Sequence, residues 1–135
     1  MSYKDTFITV APDCPVDKSE IPVSTRAKKP LHIIQYELLT ENPYKFDHNE
    51  LVFEVYLIRE GLENISETER KEVWEKLFSK GHPCLRASAL TKRYGFGAHY
   101  DKNGKIAIYP MESDQYQKFV KNKSIKKLAG MKRKR

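Results

Sequence analysis

The chain has 135 residues, 39% of them hydrophobic and 32% charged, with a formal net charge of +7; this is enough for one hydrophobic core and too little for two. It contains no run of about 18 apolar residues, which excludes a membrane-spanning helix, and its start, MSYKDTFITV, lacks the basic-then-apolar layout of a secretory signal. Two cysteines, Cys14 and Cys84, are too few for a disulfide scaffold and fit a reducing, cytoplasmic setting in which both remain thiols.

Asp5 to Ala11 alternates, with Phe7 and Thr9 on one side and Ile8 and Val10 on the other, which predicts a short strand ended by Pro12 and Pro15. Asp13 to Pro30 carries three prolines among small and charged residues and reads as a long surface connection. Leu31, Ile34, Leu38 and Leu39 then recur at helical spacing, and Asn42-Pro43 stops that helix. Asp47 followed by Glu50 opens a second helix with a capping box. The run LVFEVYLI fills nearly every face of it, and its β-branched and aromatic content leaves a strand as the alternative. Ser66 and Glu69 repeat the box ahead of a stripe of Val73, Trp74, Leu77 and Phe78, with Gly81 expected as the left-handed C-cap.

The segment CLRASAL is expected to be extended, with Arg86 and Ser88 on one face, leading into a hairpin whose turn is DKNGK. A two-residue turn would put Ile106 and Ile108 on the face of His99. A three-residue loop with Gly104 in the left-handed position pairs Tyr100 with Ile106 and Ala98 with Ile108 instead. The second register is preferred because it keeps the apolar side chains together and puts His99, Lys105, Ala107 and Tyr109 opposite. A last helix is expected from Ser113, with Tyr116, Phe119 and Val120 inward.

From Lys118 onward there are nine Lys or Arg and no acid, so the first 117 residues hold 25 − 9 = 16 cations against all 18 acids, a balance of 16 − 18 = −2. The basic excess therefore lies in the tail, which suits loose, salt-sensitive contact with a polyanion. The expected architecture is a single α+β domain over residues 1–120. It has a small antiparallel sheet that carries the hairpin, about four helices packed on one side, and a flexible basic tail over 121–135.

Function classes narrow by elimination. There is no Cys-x-x-Cys, no His-x-x-x-His and no acid-rich calcium loop, so His82 and Cys84, with Cys14 as a third donor if its loop folds over, make a weak metal set. Gly95-Phe96-Gly97 is neither a dinucleotide fingerprint nor a phosphate loop, Ser88 lies outside any nucleophile elbow, and no cofactor is expected. What stands out is the density of Arg86, Ser88, Lys92, Arg93, Tyr94, His99 and Tyr109 in one stretch: guanidinium and ammonium groups to hold a carboxylate or phosphate, with hydroxyls and an imidazole to orient it. The leading reading is a non-enzymatic module for an anionic partner, a phosphorylated small molecule or a nucleic acid. A small enzyme using Cys84 or His99 on a phosphorylated or acyl substrate is the alternative. A protein-interaction domain with a basic docking tail is the third.

The strings Thr6-Phe7-Ile8, Asp13-Cys14-Pro15, Glu20-Ile21-Pro22, Asn42-Pro43-Tyr44, Phe78-Ser79-Lys80-Gly81 and Pro83-Cys84 lead to a long central one. That one is Arg86-Ala87-Ser88, Leu90-Thr91-Lys92-Arg93-Tyr94-Gly95, Gly97 and His99, followed by Asn103-Gly104-Lys105-Ile106-Ala107, Glu112-Ser113 and Tyr116. Together they resemble a family of small bacterial proteins of unknown function over most of the chain. Ala89 stands where that pattern has proline and Phe96 where it has tryptophan, which weakens an aromatic stacking role at Phe96. The resemblance implies a bacterial, cytoplasmic origin and brings no reaction with it.

Overall fold

Thr6–Thr9 (β1) lies inside a four-stranded mixed sheet, and the fold grows outward from it. The computed structural model describes residues 3–132, with α1 at Leu31–Glu41, α2 at His48–Arg59, α3 at Glu67–Leu77 and a 3-10 turn at Leu85–Ala87. The short α4 follows at Ala89–Lys92, then β2 at Phe96–Tyr100, β3 at Ile106–Pro110, α5 at Asp114–Lys121 and β4 at Lys126–Ala129. The class is α+β, as expected, and the strand order is β3-β2-β1-β4. The sheet is not a plain antiparallel one, because β4 runs parallel to β1 while β2 and β3 pair antiparallel.

A strand with neighbours on both edges and cover on both faces needs apolar groups on both faces. Ile8 joins Ala98, Tyr100 and Ile106 in a core with Ile34 and Leu39 of α1, Leu51 and Val55 of α2, and Leu85. Phe7 faces the other way, against Tyr116 and Phe119 of α5 at 5.1 and 5.0 Å between ring centroids. Helices therefore cover both faces and not one, since the short α5, capped by Ser113, crosses back under the sheet. Gly97 makes that crossing possible: a Cβ there would meet the Phe7 and Tyr116 rings at 2.6 Å. Its missing side chain serves packing and not the approach of a ligand.

The capping boxes form as expected. Asp47 accepts from the Glu50 amide while Glu50 accepts from the Asp47 amide, and Ser66 and Glu69 do the same for α3. The run after Asp47 is helical, with Leu51, Phe53, Val55 and Leu57 buried. The hairpin takes the expected register, Tyr100 opposite Ile106 and Ala98 opposite Ile108, and Gly104 has φ +79°.

Four further expectations are corrected. CLRASAL is not extended, because Ser88 Oγ accepts from the Leu90 amide and caps α4, while the Thr91 hydroxyl donates to the Leu85 carbonyl at 2.7 Å. Short hydroxyl side chains of this kind satisfy the backbone locally and compete with a ladder. Gly81 is not in the left-handed region; α3 ends at Phe78, whose amide donates to the Trp74 carbonyl. Val120 points outward at 37% exposure, leaving Tyr116 and Phe119 to fill the α5 contact. Residues 126–129, within the segment expected to be a flexible tail, form β4. Ile125, Leu128 and Ala129 are half-buried, while lysine at a sheet edge keeps its ammonium in water.

Candidate functional site

A cavity of about 260 Å³ opens between α1, α2 and the segment that runs from the end of α3 into the 3-10 turn. Its walls are mostly apolar, from Leu31 of α1, Val52, Val55 and Tyr56 of α2, and Leu77, Pro83 and Ala87 of the returning segment. Helix α2 supplies two of these surfaces because its run is apolar on nearly every side. The polar groups on the wall are Gln35, Arg59, Glu60, His82, Cys84 and Ser88.

Hydrogen bonding fixes what several of them offer. Ser88 Oγ accepts from the Leu90 amide and donates to Gln35 Oε1 at 2.7 Å. Gln35 therefore uses its acceptor on Ser88 and keeps its Nε2 donors. His82 Nε2 donates to the Leu77 carbonyl at 2.6 Å, which leaves Nδ1 as the acceptor of the neutral ring. Glu60 is held by Lys28 at 3.1 Å, whereas Arg59 makes no ion pair among the described residues. Cys84 Sγ lies 3.6 Å from the Tyr3 hydroxyl. That contact, with burial second, raises the Tyr3 phenol above its usual range, against the lowering influence of Arg86.

The seven residues singled out in the sequence do not form one surface. Ser88 faces the cavity. Arg86 is nearby, but its Nε donates to the Ala129 carbonyl at 2.8 Å and its own carbonyl accepts from the Met131 amide, so it fastens the end of β4. Tyr94 stacks on His32 at 5.0 Å and 19°. Burial lowers the His32 pKa, helped by the charges of Arg93 and Arg26. Arg93 is exposed and Lys92 half-buried.

His99 and Tyr109 come together as expected, on the sheet face opposite Leu85 and Arg86. The Tyr44 hydroxyl bridges them, 2.8 Å from His99 Nδ1 and 2.7 Å from the Tyr109 hydroxyl. Phe119 stacks on the imidazole at 4.2 Å. Burial lowers the His99 pKa, partly opposed by Asp101 and Asp5, and burial and Tyr109 push the Tyr44 phenol far up. His99 therefore does not reach Cys84, and Cys14 lies beside Tyr116 under the other face. No cluster of three metal-ligating side chains occurs among the described residues.

Three contributors were not singled out in the sequence. Gln35 carried a signal, being a polar residue one turn after Leu31 on an otherwise apolar stripe. Arg59, in the last turn of α2, and Tyr44, after Asn42-Pro43, looked like ordinary surface residues. No helix among the described residues is long and apolar enough to cross a membrane. No curated protein and no solved structure matches the chain. A family model does, over residues 1–135, and the chain belongs to that family of unknown function, DUF6157.

Proposed function

We propose that the protein is a binding module for a small molecule with an apolar body and an anionic end, a carboxylate, taken into the cavity between α1, α2 and the 3-10 turn. The observation that carries this reading is the pair of unspent donors on a mostly apolar wall: the Arg59 guanidinium, which makes no ion pair among the described residues, and the Gln35 amide whose acceptor is already used by Ser88. A guanidinium fork and an amide donor match the two oxygens of a carboxylate, and the apolar wall takes the hydrocarbon part. The anionic partner expected from the sequence is kept, but its charge contact moves from Arg86, Lys92 and Arg93 to Arg59, with Ser88 holding Gln35 in place.

Calorimetric titration with octanoate tests the proposal. Arg59→Gln is expected to weaken binding by at least about tenfold, the scale of one hydrogen bond to a charged group, and Gln35→Leu by less. Octylamine should bind more weakly than octanoate. Equal affinity for the two ligands, or an Arg59→Gln variant that binds like the wild type, would remove the basis of the reading.

A further inference from the structure

Cys84 joins the cavity to an unsatisfied group in the core. Cys84 is half-buried and is one of the residues that line the open cavity. On the inner side stands Tyr100, 0% exposed, its ring edge-on to Tyr3 at 5.3 Å. The Tyr100 hydroxyl is fully buried and has no hydrogen-bond partner among the described residues. The Leu85 backbone amide approaches it as a donor, with the Cys84 thiol and the Tyr3 phenol nearby, and none of these takes its proton.

Native interiors leave few polar atoms in that state, because an unpaired buried donor forfeits the water it gave up. The sulfur is a weak acceptor and makes no hydrogen bond to that hydroxyl; its own contact is with the Tyr3 hydroxyl at 3.6 Å. An oxygen atom carried on the sulfur would be a stronger acceptor for that proton than the sulfur itself.

We propose that Cys84 is a site of reversible oxidation, at which a hydroperoxide entering through the cavity converts the thiol to a sulfenic acid held by the Tyr100 hydroxyl. The deprotonated sulfur attacks the near oxygen of the peroxide; the S–O bond forms and the O–O bond breaks. The leaving oxygen takes the proton the thiol gave up and departs as an alcohol or water. Sulfur is oxidised by two electrons and the peroxide reduced by two. Cys14 lies under the opposite face, beside Tyr116, so no second thiol of this chain resolves the product to a disulfide. An external thiol restores Cys84. The inference needs the cavity to be open at Cys84 and does not depend on what Arg59 binds.

The full chain, treated with cumene hydroperoxide and then with a dimedone probe, is read by peptide mass spectrometry. Cys84 is expected to carry about tenfold more label than Cys14, which is also half-buried but has no unpaired phenol beside it, a ratio on the scale of one hydrogen bond. Tyr100→Phe keeps the ring and removes the hydroxyl. It should shorten the lifetime of the sulfenic acid about tenfold on the same scale, with sulfinic acid accumulating. Equal labelling of the two cysteines, or an unchanged lifetime in Tyr100→Phe, overturns the assignment. A measurement that needs no variant is the melting temperature of the wild type before and after oxidation. It should not fall, and a fall would mean that the oxygen has no place beside Tyr100.

Discussion

Tyr44 has φ +60°, in the left-handed region that a bulky residue occupies at a cost of about 1 kcal/mol or more. Two sets of contacts hold it there: its amide donates to the Ile106 carbonyl at 2.9 Å, and its hydroxyl joins His99 to Tyr109. Tyr44→Phe keeps the ring and removes both side-chain bonds, and it should cost about 1–3 kcal/mol in chemical denaturation. The histidines set the pH dependence. Burial lowers the pKa of His48 and His99 in the folded chain, so the unfolded chain takes up protons more readily. Their contribution to stability is complete above the unfolded value of about 6.5 and is lost as the pH falls below it. Urea midpoints should therefore drop between about pH 7.5 and pH 5, and His99→Gln should flatten that slope. Gly97→Ala would drive a methyl group into the Phe7 and Tyr116 rings, with an expected loss of about 1–3 kcal/mol from overpacking.

The elements that could be read from the sequence are those whose cause lies within a few residues. Both capping boxes, the Asn42 stop and the Gly104 loop are local chemistry, and all four are present. Cys84 to Leu90 misled because its β-like alternation competes with two hydroxyls that bind nearby backbone, and the winner depends on Leu85 being drawn into the core. The elements also differ in how firmly they are held. Helix α3 has no buried residue and rests on α2 through Trp74 against Phe53 at 5.1 Å and Arg70 paired with Glu54 at 3.2 Å, whereas α2 runs through the core. Removing the cap of each should separate the two. Asp47→Ala is expected to lower global stability by about 1 kcal/mol. Ser66→Ala should instead speed hydrogen exchange within α3 while the amides of β1 stay protected.

For the whole molecule, what the sequence concealed was which distant segments meet. Nothing local in Lys126-Lys127-Leu128-Ala129 names Thr6–Thr9 as its partner, and the site residues of one stretch were divided between the two faces of the sheet by strand alternation and the return of α5. The basic C-terminal segment is therefore part of the framework as well as a store of charge. Truncation after Asn122 should remove β4, expose the edge of β1 and lower both the denaturation midpoint and its cooperativity. Replacing the exposed Lys123 and Lys126 with glutamine should leave stability within about 0.5 kcal/mol and is the cleaner way to ask what the charge does. The same topology bears on how the chain is made. Thr6 aligns with Tyr100 and with Lys126, which lie 100 − 6 = 94 and 126 − 6 = 120 positions later, so β1 leaves the ribosome before both of its partners and waits unpaired until they have been synthesised. Such long-range closure slows folding, and the apolar pair Phe7 and Ile8 is the part of the nascent chain a chaperone has most reason to hold.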